Sequence, residues 1–253
     1  ATTEIYTLSL HDALPIYDLW APASYVQRLA LGNSCPAMEV RQLSNGGMAA
    51  LELAVAHLRS AHDRHSTLIT TGDRFCPPGF DRWLTDPGTV CGDGGTALLL
   101  SRAGGFARLL SLVTLSDPTL ESMGRGTDPF ADVPLGMRSP ISVVSAREHL
   151  IKEIGLTNLL ERLRSGQRSA FDQALDRAGV KASDIDLFAL PNLGRPKIEA
   201  QVFELLDIAP ERTTWEWGAS VGHLGAGDPF AGLAQLTRTG ALEPGRLCAL
   251  VSA

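Results

Sequence analysis

Residues Glu39–Ser60 read EVRQLSNGGMAALELAVAHLRS and change periodicity at the polar SNGG corner. Before the corner, the alternation over Ala37–Leu43 predicts a strand. After it, apolar residues recur from Met48 to Leu58 at the spacing of one helix face. The apolar run TLITT, Thr67–Thr71, then predicts a buried strand. The stretch is therefore expected to form a strand–helix–strand unit.

A weak echo of this unit lies near the end of the chain. Residues Trp215–Leu236 read WEWGASVGHLGAGDPFAGLAQL, and the strand-like RLCALVS follows at 246–252. A duplicated unit would place Ser44 and the stretch after Gly222 at equivalent strand-to-helix corners that face one another. The echo is one of architecture rather than a sequence repeat, so by itself it only suggests a duplication.

The remaining pattern alternates strands with helices, which predicts an α/β fold with a covered sheet. Asp117–Ser139, rich in Gly, Pro and Asp, is expected to be a long loop. The other predicted strands are Thr96–Ser101, Arg108–Leu115, Asp184–Leu190, Thr213–Trp217 and Arg246–Ser252. The other predicted helices are Ser145–Arg164, Gly166–Gly179, Pro196–Leu206 and Pro229–Thr239.

Composition excludes several classes of protein. The 253 residues carry a net charge of -6, which argues against binding nucleic acid or anionic lipid by charge alone. No apolar run approaches the roughly 20 residues that a membrane helix needs. Four cysteines without CxxC pairing are too few for a disulfide scaffold, and reduced thiols in a cytoplasm are expected. No metal site is predicted.

The first sixteen residues, Ala1–Ile16, are expected to be foreign to the protein. They have no basic region of a signal peptide. Glu4–Ile16 matches, codon for codon, a common sequencing adapter translated in one frame. The native frame is therefore expected to start near Tyr17. We expect the segment to make no packed core contacts, so its removal should leave stability unchanged.

Ser44 is a candidate nucleophile, because it lies between a strand and the first turn of a helix. Gly46 and Gly47 would let other backbone approach closely, and the amides and dipole of the helix stabilise negative charge there. The alternative is that Ser44 is only the N-cap of that helix, which is a common role for serine. The corner alone favours the cap.

A serine nucleophile needs a base, and the base needs an orienting carboxylate. His223 lies in the glycine-rich loop VGHLGAGDP, at the corner expected to oppose Ser44, and Asp228 follows five residues later. Asp228 is also expected to cap the helix that Pro229 opens. The other histidines outside the foreign segment are expected on solvated surfaces: His57, His62, His65 and His149.

Three cysteines and one glycine-rich turn are weaker candidates. Cys35, Cys76 and Cys91 are alternative nucleophiles, but a structural or packing role is expected for each. The turn CGDGG, residues 91–95, lacks the lysine and spacing of a phosphate loop, so it is interpreted as a tight turn into a strand.

Several segments together resemble ketoacyl-ACP synthase III of the thiolase fold. They are GNSCPAMEVRQLSNGGMAALELA, CGDGGTALLL, DIDLFALP, VGHLGAGDPFAGLAQL and GALEPGRLCALVSA, so the resemblance covers nearly all of Ala21–Ala253. The most similar branch is the acyltransferase-like one that primes or decorates aromatic polyketides, including the anthracycline starter-unit enzymes. The resemblance implies two pseudo-repeated βαβαβ halves in an α-β-α-β-α layered arrangement.

The resemblance has informative departures. Ser44 occupies the position of the family's cysteine nucleophile, and Pro191 and Asn192 stand where its catalytic histidine motif belongs. His223 stands at the position of the family's asparagine, so the ordinary decarboxylating pair is absent. The atypical branch instead uses a nucleophile with a histidine and an aspartate from a GHLGxGDP loop. This match favours a catalytic triad of Ser44, His223 and Asp228 over mere capping, with Asn192 as a secondary candidate.

The resemblance also implies an organisation. Residues 17–106 would be the remainder of the N-terminal half, which carries the nucleophile, and 107–253 the C-terminal half. The fold is expected to be truncated at both ends. The earlier strand–helix unit with acyl-CoA contacts would be lost, as would the closing strand, which supplies one amide of the oxyanion hole. The remaining oxyanion donor would be the backbone amide of Ser44.

The expected function is acyl transfer through a Ser44 acyl-enzyme, in polyketide or fatty-acid-type biosynthesis. Coenzyme A or the phosphopantetheine arm of an acyl carrier protein would donate the acyl group, with no permanently bound cofactor. One alternative is decarboxylative condensation with malonyl carrier protein, and another is an inactive subunit kept for dimerisation or carrier docking. A cytoplasmic homodimer without nucleic-acid or membrane partners is expected.

Overall fold

The computed structural model describes residues 2–7, 20–133 and 135–252. The strands are β1 Thr2–Thr7, β2 Ala37–Glu39, β3 Arg64–Asp73, β4 Gly94–Ser101, β5 Leu187–Ala189 and β6 Cys248–Leu250. The helices are α1 Pro22–Ala30, α2 Gly46–Ser60, α3 Ser122–Arg125, α4 Val144–Ile154, α5 Leu156–Ala178, α6 Arg195–Ile198, α7 Glu204–Leu206, α8 Trp215–Val221 and α9 Asp228–Arg238. A π-helical turn, Glu199–Phe203, joins α6 to α7.

Two described sheets enclose a helical layer. The first has the strand order β2-β1-β3-β4, with β4 antiparallel to β3 and the other pairs parallel. The second pairs β5 with β6 in parallel. Helices α2 and α9 contact each other, α2 packs on β3, and α9 packs on β5 and β6. This order of layers is the one that the α/β expectation requires.

Apolar side chains hold these layers together. Leu51 on α2, Ile69 on β3 and Phe230 on α9 are buried in one cluster between the sheets. On the far side of the second sheet, Phe171 of α5 packs against the buried Phe188 of β5. Helix α5 therefore covers the outer face of the short sheet, as a buried parallel pair requires.

The expectation that Ala1–Ile16 makes no packed contacts is wrong for Thr2–Thr7. Its backbone pairs with both β2 and β3, so it is an interior strand of the first sheet. The sequence TTEIYT is rich in β-branched and aromatic residues, which suit a strand. Any such segment satisfies the backbone donors and acceptors of two flanking strands. The rest of Ala1–Ile16 lies outside the described residues, and its adapter origin stays a prediction.

Two of the predicted strands are wrong. Thr213–Trp217 makes only a bridge from Thr213 to Phe188, and the chain then turns into α8. Arg108–Leu115 belongs to no described strand. There, Ser111 Oγ donates to the Ala174 carbonyl of α5, so the segment bonds to a helix rather than to a sheet. Strand propensity fails at both places because tertiary contacts override it.

The helix boundaries also differ from the predicted ones. The predicted helix Ser145–Arg164 is two helices, α4 and α5, which separate at Gly155. The break expected near Gly166 does not occur, because α5 continues through it to Ala178. The predicted loop Asp117–Ser139 holds a 3₁₀ turn, Pro118–Leu120, and the short helix α3, and the rest of its described residues are irregular.

Deletion of residues 1–7 tests the pairing of β1. Removing an interior strand leaves the facing edges of β2 and β3 without backbone partners, so we expect a loss of more than about 1 kcal/mol in unfolding free energy. Denaturant unfolding of the deleted and complete chains measures it. An unchanged midpoint and slope would contradict the pairing and restore the expectation drawn from the sequence.

Candidate active site

Ser44 lies in a tight turn between β2 and α2. A 3₁₀ turn over Leu43–Asn45 leads directly into α2. Leu43 has a φ of 48°, a left-handed conformation that costs a leucine roughly 1–2 kcal/mol. The N-cap of α2 is Asn45 and no side chain caps this helix, so the interpretation of Ser44 as its N-cap is wrong.

A glycine lets this turn approach the histidine loop. A Cβ atom on Gly47 would lie 2.4 Å from the carbonyl oxygen of Ala226. No side chain fits at that separation, so only glycine permits the first turn of α2 to pack against the loop that carries His223. The expectation of close backbone approach at this corner is confirmed at Gly47.

His223 is in hydrogen-bonding contact with Ser44. Its Nε2 atom lies 2.8 Å from Ser44 Oγ, and the residue is only 5% exposed. The His223 amide donates to the Val90 carbonyl at 2.8 Å, and its own carbonyl accepts from the Gly92 amide at 2.9 Å. The ring stacks near Phe75, with centroids 6.4 Å apart. These contacts fix both the backbone and the ring plane.

Asp228 completes the chain of hydrogen bonds. Its Oδ2 lies 2.5 Å from His223 Nδ1 and also accepts from the Asn192 amide at 2.8 Å. Its Oδ1 accepts from the Leu224 amide at 2.8 Å, and the residue is 1% exposed. The expectation that Asp228 caps α9 is wrong, because Gly227 is the N-cap and this carboxylate bonds backward into the loop.

The loop folds back because of one further glycine. Gly225 has a φ of 61°, and a Cβ there would lie 2.2 Å from Asp73 Oδ2. That carboxylate, at the end of β3, accepts from the Ala226 amide at 3.1 Å. The first sheet therefore holds the middle of the loop. The sequence gives no sign of this contact, since Asp73 and Ala226 are far apart along the chain.

Asn192 lies beside the triad but its side chain points away from the cleft. Its Nδ2 donates to the Gly222 carbonyl at 2.8 Å, and its Oδ1 is buried without a hydrogen-bond partner in the described part of the chain. Its neighbours Pro191 and Leu193 line the cleft, whereas Asn192 does not. The structure thus favours Asn192 as a support of the loop rather than as a donor to substrate.

The cleft that holds Ser44 and His223 is large, with a volume of about 2390 Å³. Leu98, Leu100 and Leu112 contribute to its apolar lining. Most of the lining surface is apolar, as in small-molecule sites, and charged side chains such as Asp86, Arg147 and Lys197 also line it. Among the described residues, no group of three His, Cys, Asp or Glu side chains could hold a metal ion.

The remaining histidines lie elsewhere. His62, His65 and His149 are exposed, as expected. His57 is half-buried instead, and its Nδ1 lies 2.8 Å from Arg64 Nη1, so the expectation of a solvated position is wrong for it. The turn between α2 and β3 brings Arg64 back over the helix end.

The cysteines fit poorly as nucleophiles. Cys91 lines the cleft, but burial raises the pKa of its thiol to about 11. Burial also raises the pKa of Cys248 to about 11. Cys35 is buried near Gln27, and Cys76 is half-buried, with its carbonyl accepting from the Phe80 amide. The expected structural roles agree with these surroundings.

Comparisons with known proteins identify the family. The model of the C-terminal part of 3-oxoacyl-[acyl-carrier-protein] synthase III matches residues 175–253. The solved structure of the acyltransferase ChlB3 is 35% identical with a TM-score of 0.89, over 98% of this chain and 72% of that one. The chain belongs to the 3-oxoacyl-ACP synthase III family. Its predicted family and thiolase-like α/β fold are confirmed.

Two other solved members of the synthase III family share the fold. FabH of Pseudomonas aeruginosa PAO1 is 21% identical, with a TM-score of 0.70 over 98% of this chain and 71% of that one. The synthase III of Aquifex aeolicus VF5 is 18% identical, with a TM-score of 0.71 over 98% and 72%. No curated protein matches the chain. The matched family and the similar structures are those of acyltransferases and 3-oxoacyl-ACP synthases, so the chain is an enzyme of the acyltransferase class.

The raised pKa of Cys91 predicts slow alkylation. With a pKa near 11 rather than 9, the thiolate fraction at pH 7.5 falls roughly 100-fold. Iodoacetamide should therefore modify Cys91 at pH 7.5 at least 100-fold more slowly than in the urea-unfolded chain, as measured by peptide mass spectrometry. The folded rate should still rise tenfold per pH unit above pH 9. Equal rates in the two states would contradict the assignment.

Proposed function

We propose that the protein transfers an acyl group through a Ser44 ester, with His223 as base and Asp228 as its orienting carboxylate. The observation that carries the proposal is the continuous contact from Ser44 Oγ to His223 Nε2 at 2.8 Å and from His223 Nδ1 to Asp228 Oδ2 at 2.5 Å. The 35% sequence identity with the acyltransferase ChlB3 supports the proposal.

Acylation would proceed in two steps. Ser44 Oγ attacks the thioester carbonyl carbon while its proton passes to His223 Nε2, and Asp228 holds the resulting imidazolium through Nδ1–H. The backbone amide of Ser44, in the 3₁₀ turn that leads into α2, would stabilise the oxyanion. Collapse of the tetrahedral species breaks the carbon–sulfur bond, and His223 returns the proton to the departing thiolate.

Transfer would reverse the roles. The acceptor loses its proton to His223 as it attacks the Ser44 ester carbonyl, and the proton then returns to Ser44 Oγ as the ester bond breaks. The proposed donors are acyl-CoA and acyl carrier protein, with coenzyme A or phosphopantetheine as the thiol and no permanently bound cofactor. The name of the matched family model supports the carrier protein as a donor.

A cytoplasmic homodimer in polyketide or fatty-acid-type biosynthesis is the setting that we propose. Among the described residues, no helix combines the length and apolarity that a membrane crossing requires. The catalytic proposal does not depend on this setting, because Ser44, His223 and Asp228 all belong to one chain.

Asn192 is proposed as a positioning residue of this site. It joins both ends of the loop, since its side chain binds the Gly222 carbonyl and its amide binds the Asp228 carboxylate. Its 4% exposure and its absence from the cleft lining separate it from substrate.

Decarboxylative condensation is the second candidate function. The family name describes a condensing enzyme, and the relatives share this fold. The residues at the position of the family's histidine motif weigh against it here. Pro191 and Leu193 present apolar surface to the cleft, and the side-chain amide of Asn192 already donates to the Gly222 carbonyl. The alternative of an inactive subunit is disfavoured by the complete hydrogen-bonded triad.

Labelling with a radioactive acyl-CoA tests the leading proposal. Label should appear on Ser44 as an ester, and Ser44→Ala should abolish it. His223→Ala should slow labelling by about 10²–10⁴-fold because the hydroxyl loses its base. Asp228→Asn should slow it less, because the lost group orients rather than accepts the proton. Label in Ser44→Ala that maps to Cys35, Cys76 or Cys91 would defeat the proposal, and an unlabelled wild type would favour the inactive subunit.

Malonyl carrier protein separates transfer from condensation. The acyl-enzyme should release carbon dioxide from malonyl carrier protein at least about 100-fold more slowly than it transfers its acyl group. The reason is that Pro191 and Asn192 stand in place of the family's catalytic histidine motif. Trapping labelled carbon dioxide measures the rate, with Ser44→Ala as the background. Release at the rate of acyl transfer would make the protein a serine-dependent condensing enzyme.

A further inference from the structure

A second polar group lines the same cleft and takes no part in the triad. We call it the Asp86 cluster; it comprises Asp86, Thr89, Arg147 and Lys197. Asp86 Oδ1 accepts from Arg147 Nη1 and, at 2.8 Å, from Lys197 Nζ. Thr89 Oγ1 donates to Asp86 Oδ2 at 3.0 Å, and Lys197 Nζ lies 2.7 Å from the same hydroxyl. The loop after β3, α4 and α6 each contribute to it.

The cluster has more hydrogen-bond donors than its own members use. Within the described chain, Arg147 engages one of its five N–H groups and Lys197 two of its three. Both side chains are mostly buried, with 31% and 21% of the side-chain surface exposed. The spare donors belong to residues that line the cleft.

The cluster also has more positive than negative charge. Burial alone would raise the pKa of Asp86, but hydrogen bonds from Arg147 and Lys197 outweigh it and hold that pKa below its ordinary value. Asp86 is therefore a carboxylate at neutral pH. Burial lowers the pKa of Lys197, and Asp86 opposes this effect. With both cations protonated, two positive charges face one negative charge, and an uncompensated half-buried charge is unfavourable.

Cys91 shows that the cluster lies close to the triad. The thiol interacts electrostatically with Asp86 and Lys197 and also with Asp228. The backbone of Cys91 forms a bridge with His223. A substrate group in the cleft can therefore approach the cluster while another part of the same molecule, or its co-substrate, lies at Ser44.

We propose that the Asp86 cluster binds a carboxylate of the substrate, so that the enzyme prefers an acidic acyl group or an acidic acceptor to a neutral one. This inference rests on the proposed function of Ser44. The planar fork of Arg147 suits a carboxylate, which accepts two parallel hydrogen bonds from guanidinium. Lys197, which bonds to the same oxygen of Asp86, adds a second positive charge.

The first arm of the test compares acyl donors. Labelling of Ser44 is measured with succinyl- and adipyl-CoA and with butyryl- and hexanoyl-CoA of equal chain length, corrected by Ser44→Ala. The wild type should favour the charged member of each pair. Arg147→Gln should reduce this preference about tenfold or more, the loss expected for one charge-assisted hydrogen bond. Arg147→Lys keeps the charge and should reduce it less.

The second arm compares acceptors. The butyryl-enzyme is isolated, and its discharge by lactate is compared with its discharge by lactamide, which has the same shape without the charge. If the carboxylate belongs to the acceptor, the preference for lactate should fall about tenfold in Arg147→Gln. A change in the first arm alone assigns the carboxylate to the acyl group, and a change in the second alone assigns it to the acceptor; either outcome supports the proposal.

The matched control is Arg162→Gln, since Arg162 also lines the cleft but pairs with Asp117. It should leave both preferences unchanged. The proposal is overturned if the wild type shows no preference in either arm. It is also overturned if Arg147→Gln lowers the rates with charged and neutral substrates equally. That result is expected if the ion network is purely structural or binds the phosphates of coenzyme A.

A binding measurement separates this proposal from the proposed function. If no thioester labels Ser44 in the wild type, the acyl-enzyme proposal fails while the subsite remains testable. Adipate, but not adipamide, should then raise the midpoint of thermal unfolding of the wild type, and this shift should be lost in Arg147→Gln. Equal shifts with both compounds, or no shift with either, would overturn the subsite.

Discussion

The site depends on the buried carboxylate of Asp228. Its two oxygens accept from the ring of His223 and from the backbone amides of Leu224 and Asn192. One side chain thus joins the loop, the start of α9 and the segment after β5. A buried carboxylate is stable only when such donors surround it. The two backbone amides fix the carboxylate, and the carboxylate in turn holds the histidine ring in the orientation that faces Ser44.

The local parts of the site could be predicted from the sequence, and its long-range supports could not. Ser44, His223 and Asp228 each lie in a short segment whose glycines and strand-to-helix pattern are visible in the sequence. The contact between Asp73 and the Ala226 amide crosses from the first sheet to the loop, and no periodicity encodes it. The interpretation of Ser44 and Asp228 as helix caps is wrong, because both side chains form hydrogen bonds with His223 instead.

The fold was predictable where periodicity and burial agree. Buried and partly exposed residues alternate along β3, and Ile69 is fully buried. The helix predicted after SNGG is α2. The prediction failed at Thr213–Trp217, where strand-favouring residues turn instead into α8. Trp215 there packs on the core and donates through Nε1 to the Leu193 carbonyl at 3.0 Å. The half-buried Trp215 and its hydrogen bond therefore hold the start of α8 against the core, which strand propensity does not anticipate.

The surroundings of Ser44 and Cys91 explain why Cys91 is a poorer candidate nucleophile than Ser44. The backbone of Cys91 forms a β-bridge with that of His223. Burial and the neighbouring Asp86 nevertheless raise the pKa of the Cys91 thiol to about 11. A thiol needs prior ionisation to react, whereas a serine hydroxyl loses its proton to a base during attack. The atom proposed as this base, His223 Nε2, lies 2.8 Å from Ser44 Oγ. The cleft therefore keeps the Cys91 thiol protonated at neutral pH, whereas the Ser44 hydroxyl has the hydrogen-bond partner that the proposed mechanism requires.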